Sequence, residues 1–576
     1  MYQMNKIFGS VCNTNSFESS FSYKRSNLFI SFEGIVYNKE SLSKKFSLSL
    51  CLSDEEFLLE AFRKVKTDIF YKIDAVFSCV IYDKTDQKIY LARDKMGIKP
   101  LYFYHYQKTF IFGNRLRDFT KCKLFDKEID KNSLSNYFTY GYILQPYTIY
   151  KNCYKVHSAH FALYDIKNNT LKQQKYWSLE DCYNEPKLKL DEEEITKEAQ
   201  RLLQDSVLKR VQNSKNYGSF LSSGYDSSMI CALLQENSSA KIKTFTIGFY
   251  EKDINEAEDA KKIANFIGTQ HITHYFSKED ILKTVPAISQ IYDEPFADYG
   301  AIPTVLLSKI AKEHNIDTLF GGDGGDEVFA TADDIERFDM LLSIPYDIRK
   351  AVNILLDSLH FLSYEFPTKY YKLVNLLKSN DIPDMIKAKV PLFTQDKIKK
   401  ILNDSDFEDS SFEKIRFGRQ SEIVDRIIGT YFQTFLINGE LIKTTQSLRY
   451  CQIEERFPFL DEKLFSFMAK VPSDIKVKNR DKKHVLKNII YRYIPKEMME
   501  REKKGFSIPL SKWLKGELNP LLLDVVNEEN IKKDGILDYK NIIAIRDKFL
   551  DSKEKYAAEL WSILIYQLWY EKNIRL

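Results

Sequence analysis

The sequence predicts two folds in one chain: an α+β domain of two stacked sheets, then an α/β domain built on a parallel, doubly wound sheet with a helical C-terminal part. Three observations predict this. Short aromatic and β-branched runs, separated by turn residues, crowd roughly the first 175 residues. After a polar stretch, short strands alternate with helical patterns, as parallel sheets require. Beyond about residue 340 the apolar spacing is mostly helical. At 576 residues the chain is too long for one compact domain. The expected division is 1–177, a linker at 178–194, and 195–576.

In the first part, Leu28–Phe32, Ala75–Tyr82, Ile89–Ala92, Tyr102–Tyr104 and Thr109–Phe112 read as strands, with turn residues such as Asp83–Asp86 between them. A helix is expected over Asp54–Lys66, capped by Ser53 with Glu55 and Glu56 in its first turn. In the second part, Ile195–Gln212 has helical spacing. The strand Gly218–Leu221 leads to a helix from about Ser228, and Lys243–Gly248 to a helix from about Glu256. Thr318–Phe320 ends in a Gly/Asp-rich loop.

Composition excludes several classes of function. A net charge of +4, with both signs interspersed, gives no footprint for nucleic acid. Eight cysteines without a C-x-x-C pair indicate neither a disulfide framework nor a zinc ribbon. No run approaches 18 apolar residues and no signal peptide is evident, so a cytoplasmic enzyme is expected.

Two loops carry chemistry. In Phe220–Ile230 an apolar strand ends in Ser222-Ser223-Gly224-Tyr225-Asp226-Ser227-Ser228 and opens into a helix. Unpaired N–H groups at such a helix start favour phosphate, and small side chains let it approach the backbone. Asp226 would repel phosphate unless it holds Mg²⁺ between the phosphates. No Walker A pattern occurs, and these residues alone fit an ordinary capping turn equally well. The second loop, Gly321-Gly322-Asp323-Gly324-Gly325-Asp326-Glu327, follows an apolar strand, where doubly wound sheets bind ligands. Both loops are expected on one sheet edge, with Asp226 and Asp326 sharing a cation.

Leu221–Ser228 resembles the pyrophosphate loop (S-G-G-x-D-S) of the asparagine synthetase family. Thr246–Phe249, Asp293–Asp298, Gly321–Phe329, Glu454–Asp461 and Lys503–Pro509 resemble that family's synthetase motifs in their order. The resemblance implies an adenine nucleotide α-hydrolase-like fold in which ATP and Mg²⁺ activate a carboxylate by adenylation, after which an amine displaces AMP. By the same resemblance, Leu221, Ile247, Gly321 and Gly322 frame the adenosine. Ser222, Ser223, Gly224, Ser227 and Ser228 hold the phosphates, and Asp226 and Asp326 the metal. Lys483, and less strongly Lys504, matches a lysine near the acyl-adenylate, where a cation stabilises developing negative charge. Asp323 matches an acid near the incoming amine and could act as a base. Ser223 replaces a glycine of S-G-G, and Phe329-Ala330-Thr331-Ala332 replaces F-G-G-Y, which puts aspartate specificity in question.

The first part resembles the family's class II glutamine amidotransferase domain, through Glu33–Asn38, Leu52–Glu56 and Leu91–Tyr102. That implies the four-layer αββα arrangement of the Ntn type. Its chemistry requires an N-terminal cysteine whose α-amine is the base, and Asn5 stands at that position. The N-G-E that positions glutamine has become Glu33-Gly34-Ile35, and the arginine-bearing H-R-G-P-D segment and its R-L-S-I neighbour are deleted between Cys12 and Leu28. An inactive glutaminase kept as a scaffold is therefore expected. The resemblance leaves three functions open. One is amide formation from a carboxylate, aspartate by default or a uronic acid, with ammonia that is free or from a separate glutaminase. The second is ring closure with the substrate's own amine, as in β-lactam synthetases and lasso-peptide cyclases. The third is a non-enzymatic partner, opposed by the intact Asp226, Asp326 and Lys483. Oligomeric state stays open, a homodimer being one form.

Overall fold

The computed structural model describes residues 6–12, 16–19, 21–212, 214–251, 255–331, 334–358, 367–402, 415–418, 420–501, 508–551 and 556–575. Asn5, Ala332 and Lys504 lie outside them.

The first domain holds eleven strands among the described residues: β1 (Phe8–Cys12), β2 (Ser16–Ser19), β3 (Tyr23–Arg25), β4 (Leu28–Val36), β5 (Ala75–Asp83), β6 (Lys88–Arg93), β7 (Tyr102–Tyr106), β8 (Thr109–Gly113), β9 (Cys153–Lys155), β10 (His160–Asp165) and β11 (Thr170–Lys175). They form two antiparallel sheets, of order β2-β1-β8-β7-β9 and β11-β10-β6-β5-β4-β3. Period-two alternation sorts the side chains. Phe103, Phe110 and Phe112 join Val80, Ile89 and Leu91 in the core between the sheets. Phe77, Cys79 and Ile81 point the other way, onto Phe57, Leu58 and Phe62 of the helix Asp54–Val65. Tyr102, Tyr104 and Ile111 meet Leu116 and Phe119 and the helix Lys131–Tyr140. The result is the αββα stack. Ser53 caps its helix in a full capping box with Glu56.

Residues 178–194, polar in composition, carry a helix of their own, Leu179–Asn184, whose Leu179 and Tyr183 are buried in the second domain's core. The next helix starts at Glu192, capped by Asp191.

The second domain has five strands among the described residues: β12 (Tyr217–Phe220), β13 (Lys243–Gly248), β14 (Gln270–Tyr275), β15 (Thr318–Phe320) and β16 (Glu454–Arg456). All pair in parallel, in the order β14-β13-β12-β15-β16. Helices 192–211, 225–236 and 257–267 cover one face, and 278–291 and 301–313 the other. The chain winds outward from β12 to β14 and then returns to its other side with β15. That reversal makes a crevice between the C-terminal ends of β12 and β15, where doubly wound sheets bind ligands. From Ile335 onward the elements among the described residues are helices apart from β16. Among the described residues no helix is long and apolar enough to cross a membrane.

Candidate active site

The helix after β12 begins at Tyr225, three residues earlier than its sequence pattern suggests, because Gly224 takes the extended conformation of an N-cap. Asp226, Ser227 and Ser228 thus sit in its first turn. The loop before it is folded by its own bonds. The Ser222 amide donates to Ser227 Oγ at 3.1 Å, and the Gly224 amide donates to Ser222 Oγ at 3.1 Å. Thr246 of β13 donates to the Leu221 carbonyl, and Arg501 Nη2 donates to the Ser223 carbonyl at 2.5 Å.

Ser219 of β12 pairs with Phe320 of β15, so the second loop starts beside the first. The approach is close enough to demand glycine. A Cβ on Gly322 would lie 3.0 Å from Asp226 Cβ and from the Ser227 amide, and one on Gly325 would lie 2.2 Å from Asp226 Oδ1. Lys483 comes from the far end of the chain, at the start of the helix His484–Ile490. Its Nζ stands 2.5 Å from Asp226 Oδ2 and 2.6 Å from Asp326 Oδ1. The two acids converge on one cation, which here is the lysine ammonium. Burial alone would lower the Lys483 pKa, but Asp226 and Asp326 outweigh it and raise it.

These groups line a cavity of about 690 Å³. Leu221, Ser222, Ser223, Gly224, Asp226, Ser227, Ile247, Gly322, Asp323, Asp326 and Lys483 all reach its wall. Gly321 and the fully buried Ser228 stand behind it. Asp323 accepts from Thr444 Oγ1 at 2.8 Å. Burial pushes its carboxyl pKa up, and the Thr444 bond and Lys443 only partly oppose the shift. Sequence reasoning missed Glu440, Lys443, Thr444 and Arg501 on the same wall. Lys443 Nζ is 2.5 Å from Glu440 Oε2 and 3.4 Å from Asp298 Oδ2. Glu440 ends a nine-residue π-helical stretch, Phe432–Glu440, a geometry that often marks functional sites but leaves no trace in local sequence.

In the first domain Glu33 of β4 is 2% exposed. It accepts from Asn114 Nδ2 at 2.5 Å and pairs with Arg449 of the helix Leu441–Tyr450. Lys99 Nζ is 3.6 Å from Glu33 Oε1 and 2.6 Å from Glu455 Oε1 on β16. Burial would raise the Glu33 carboxyl, but Arg449, Lys99 and Asn114 hold it below the usual range. The cluster ties the first domain to the edge strand of the parallel sheet.

Comparison with known proteins bears on both domains. The family model described as asparagine synthase matches residues 198–571, and that described as glutamine amidotransferase domain matches residues 11–177. Asparagine synthetase (glutamine-hydrolyzing) 1 of Bacillus subtilis (strain 168) is 27% identical over 566 residues, covering 96% of this chain and 87% of the relative. A Methanocaldococcus jannaschii protein provisionally named asparagine synthetase (glutamine-hydrolyzing) 2 is 30% identical, covering 72% and 81%. Amidase chry2 of Gibberella zeae is 22% identical, covering 85% and 77%. With one family model spanning residues 198–571, well over half its length, the chain belongs to the asparagine synthase family.

Proposed function

We propose that the chain is a cytoplasmic, ATP-dependent amide ligase that adenylates a carboxylate and passes the acyl group to an amine. In the first half, a carboxylate oxygen attacks the α-phosphorus of ATP. The bond from that phosphorus to the bridging oxygen breaks, and pyrophosphate leaves with the electron pair. In the second half, the amine nitrogen attacks the acyl carbon, the acyl–oxygen bond breaks, and AMP leaves with the pair while the nitrogen gives up a proton. One observation carries this reading. Two loops from adjacent parallel strands bring Asp226 and Asp326 together, and Lys483, at the start of the helix His484–Ile490, meets both on the wall of one cavity.

The residues present fit Mg²⁺. Two carboxylates that already converge on one cation suit an ion that takes one or two protein oxygens and fills its shell with phosphate and water. Asp226 and Asp326 would hold it, and when bound it neutralises charge on the leaving pyrophosphate. Ser222, Ser223, Gly224 and Ser227 offer hydroxyls and amides to the phosphates, and Leu221, Ile247 and Gly322 an apolar wall to the nucleoside. Lys483 supplies positive charge where the acyl oxygen becomes negative. Asp323, its carboxyl raised by burial, is placed to take the amine's proton.

The first domain is read as a scaffold that does not hydrolyse glutamine. Asn5 stands at the nucleophile's place in the sequence, and Glu33, at the start of the altered N-G-E, is closed into ion pairs. The test is pyrophosphate exchange into ATP, dependent on Mg²⁺ and on a carboxylic acid. Asp226→Ala abolishes exchange if the reading holds, and normal turnover in that variant refutes it. Mass spectrometry of products from ATP, ammonia and a panel of carboxylates, aspartate and uronic acids included, identifies the acceptor and separates an intermolecular amide from a ring.

A further inference from the structure

Lys483 occupies the place between the two carboxylates that the ligase reading gives to the metal. Its ammonium touches both acids and its residue is 6% exposed. An ammonium and a divalent cation are like charges, and both cannot sit between the same two oxygens at contact distance. The lysine is also held under backbone strain. Its φ is +55°, in the left-handed region that side chains with a Cβ rarely adopt, and Asn479 and Arg480 in the same loop have φ of +49° and +69°. Ala330, whose carbonyl accepts from the Lys483 amide at 3.3 Å, has φ of +64°. Such conformations persist where surrounding contacts over-determine them, and the double ion pair is one such contact.

We propose that Lys483 is the resident cation of the divalent-metal site: it holds Asp226 and Asp326 in place until the metal arrives, and metal binding releases its ammonium to the reacting carboxylate. This rests on the ligase reading and adds an order of events to it. Metal entry and lysine release become one exchange, so the lysine is free to act only once the metal is in place. The apparent metal affinity of the unaltered protein is then reduced to the fraction of sites the lysine has left.

The experiment is a titration of the full chain with Mn²⁺, followed by the electron paramagnetic resonance signal of the free ion, with and without the non-cleavable analogue α,β-methylene-ATP. Lys483→Met should bind Mn²⁺ about tenfold more tightly than the unaltered protein while forming no amide product. Asp226→Asn should lose the binding. If Lys483→Met binds Mn²⁺ no more tightly and Asp226→Asn still loses it, the exchange is refuted and the ligase reading stands. If neither the unaltered protein nor Lys483→Met binds Mn²⁺ with the analogue present, the metal reading itself falls. A measurement on the unaltered protein guards against misfolding of the variant. Acylation of Lys483 by an amine-reactive reagent, read by peptide mass spectrometry, should rise severalfold on saturation with Mn²⁺, and an unchanged rate overturns the proposal.

Discussion

Glu33 in the first domain and Asp226 in the second are both acids whose charge is met by a cation from far along the chain, but the two settings differ. Glu33 is 2% exposed and enclosed by Arg449, Lys99 and Asn114, with Glu455 satisfying Lys99 in turn. Asp226 lines a cavity of about 690 Å³ and is met by a lysine that also serves Asp326. A closed network compensates its charges within the protein and has no use for a ligand. Two carboxylates on a cavity wall, bridged by one flexible ammonium, are compensated by something that can be exchanged. Both domains match their family models, so family membership alone does not account for this difference.

The contrast is broken or sharpened by four measurements. The largest effect is expected in pyrophosphate exchange. Asp226→Ala should lower it by on the order of 10³-fold or more, whereas Glu33→Gln should leave it close to the unaltered rate. A large loss from Glu33→Gln would show that the Glu33 cluster takes part in the chemistry. Next is stability. Arg449→Met leaves the Glu33 carboxylate buried without its main partner and should cost about 3–5 kcal/mol in denaturant unfolding. Adding Glu33→Gln to that variant should recover most of the loss.

The third concerns another junction between the domains. Lys209 Nζ is 2.7 Å from Asp74 of the first domain and also pairs with Asp461, which Arg210 approaches at 3.2 Å. Burial would raise the Asp461 carboxyl, but Arg210 and Lys209 hold it down at about 2, against an ordinary 3.8. A depressed carboxyl stabilises the fold above the unfolded pKa and loses that contribution as pH falls through the folded one. About 2 kcal/mol should therefore disappear between roughly pH 4 and pH 2, and Asp461→Asn should flatten the decline in that window. The smallest effect is Ser53→Ala, which removes a helix cap of the first domain. It should cost about 1 kcal/mol in thermal unfolding without changing exchange, as expected if that domain is a scaffold.

Much of the architecture was legible because local physics writes it. The strands Ala75–Asp83 and Thr109–Gly113 were readable as aromatic and β-branched runs, and the pleat sorts their side chains into layers, with Val80 and Phe110 inward and Phe77 and Ile111 outward. Ser53 capped its helix as its spacing with Glu56 implied. The short strands Gln270–Tyr275 and Glu454–Arg456 were not read: the first is only partly buried along its length, and the second carries three charged residues. Glu454–Arg456 is a strand because its backbone pairs with Thr318–Phe320, more than a hundred residues away.

The same division runs through the two acid clusters. The sequence by itself determined the two small-residue loops, the absence of cysteine at residue 5 and the acids available to hold a cation, since each is a matter of residue type and spacing within a few positions. Which cation meets which acid was decided only by the fold. Lys483 lies 257 residues from Asp226, and Arg449 lies 416 from Glu33. Charge compensation acts over a few ångströms of space without regard to distance along the chain, so no local pattern could announce that one of these pairs would be closed and the other left facing a cavity.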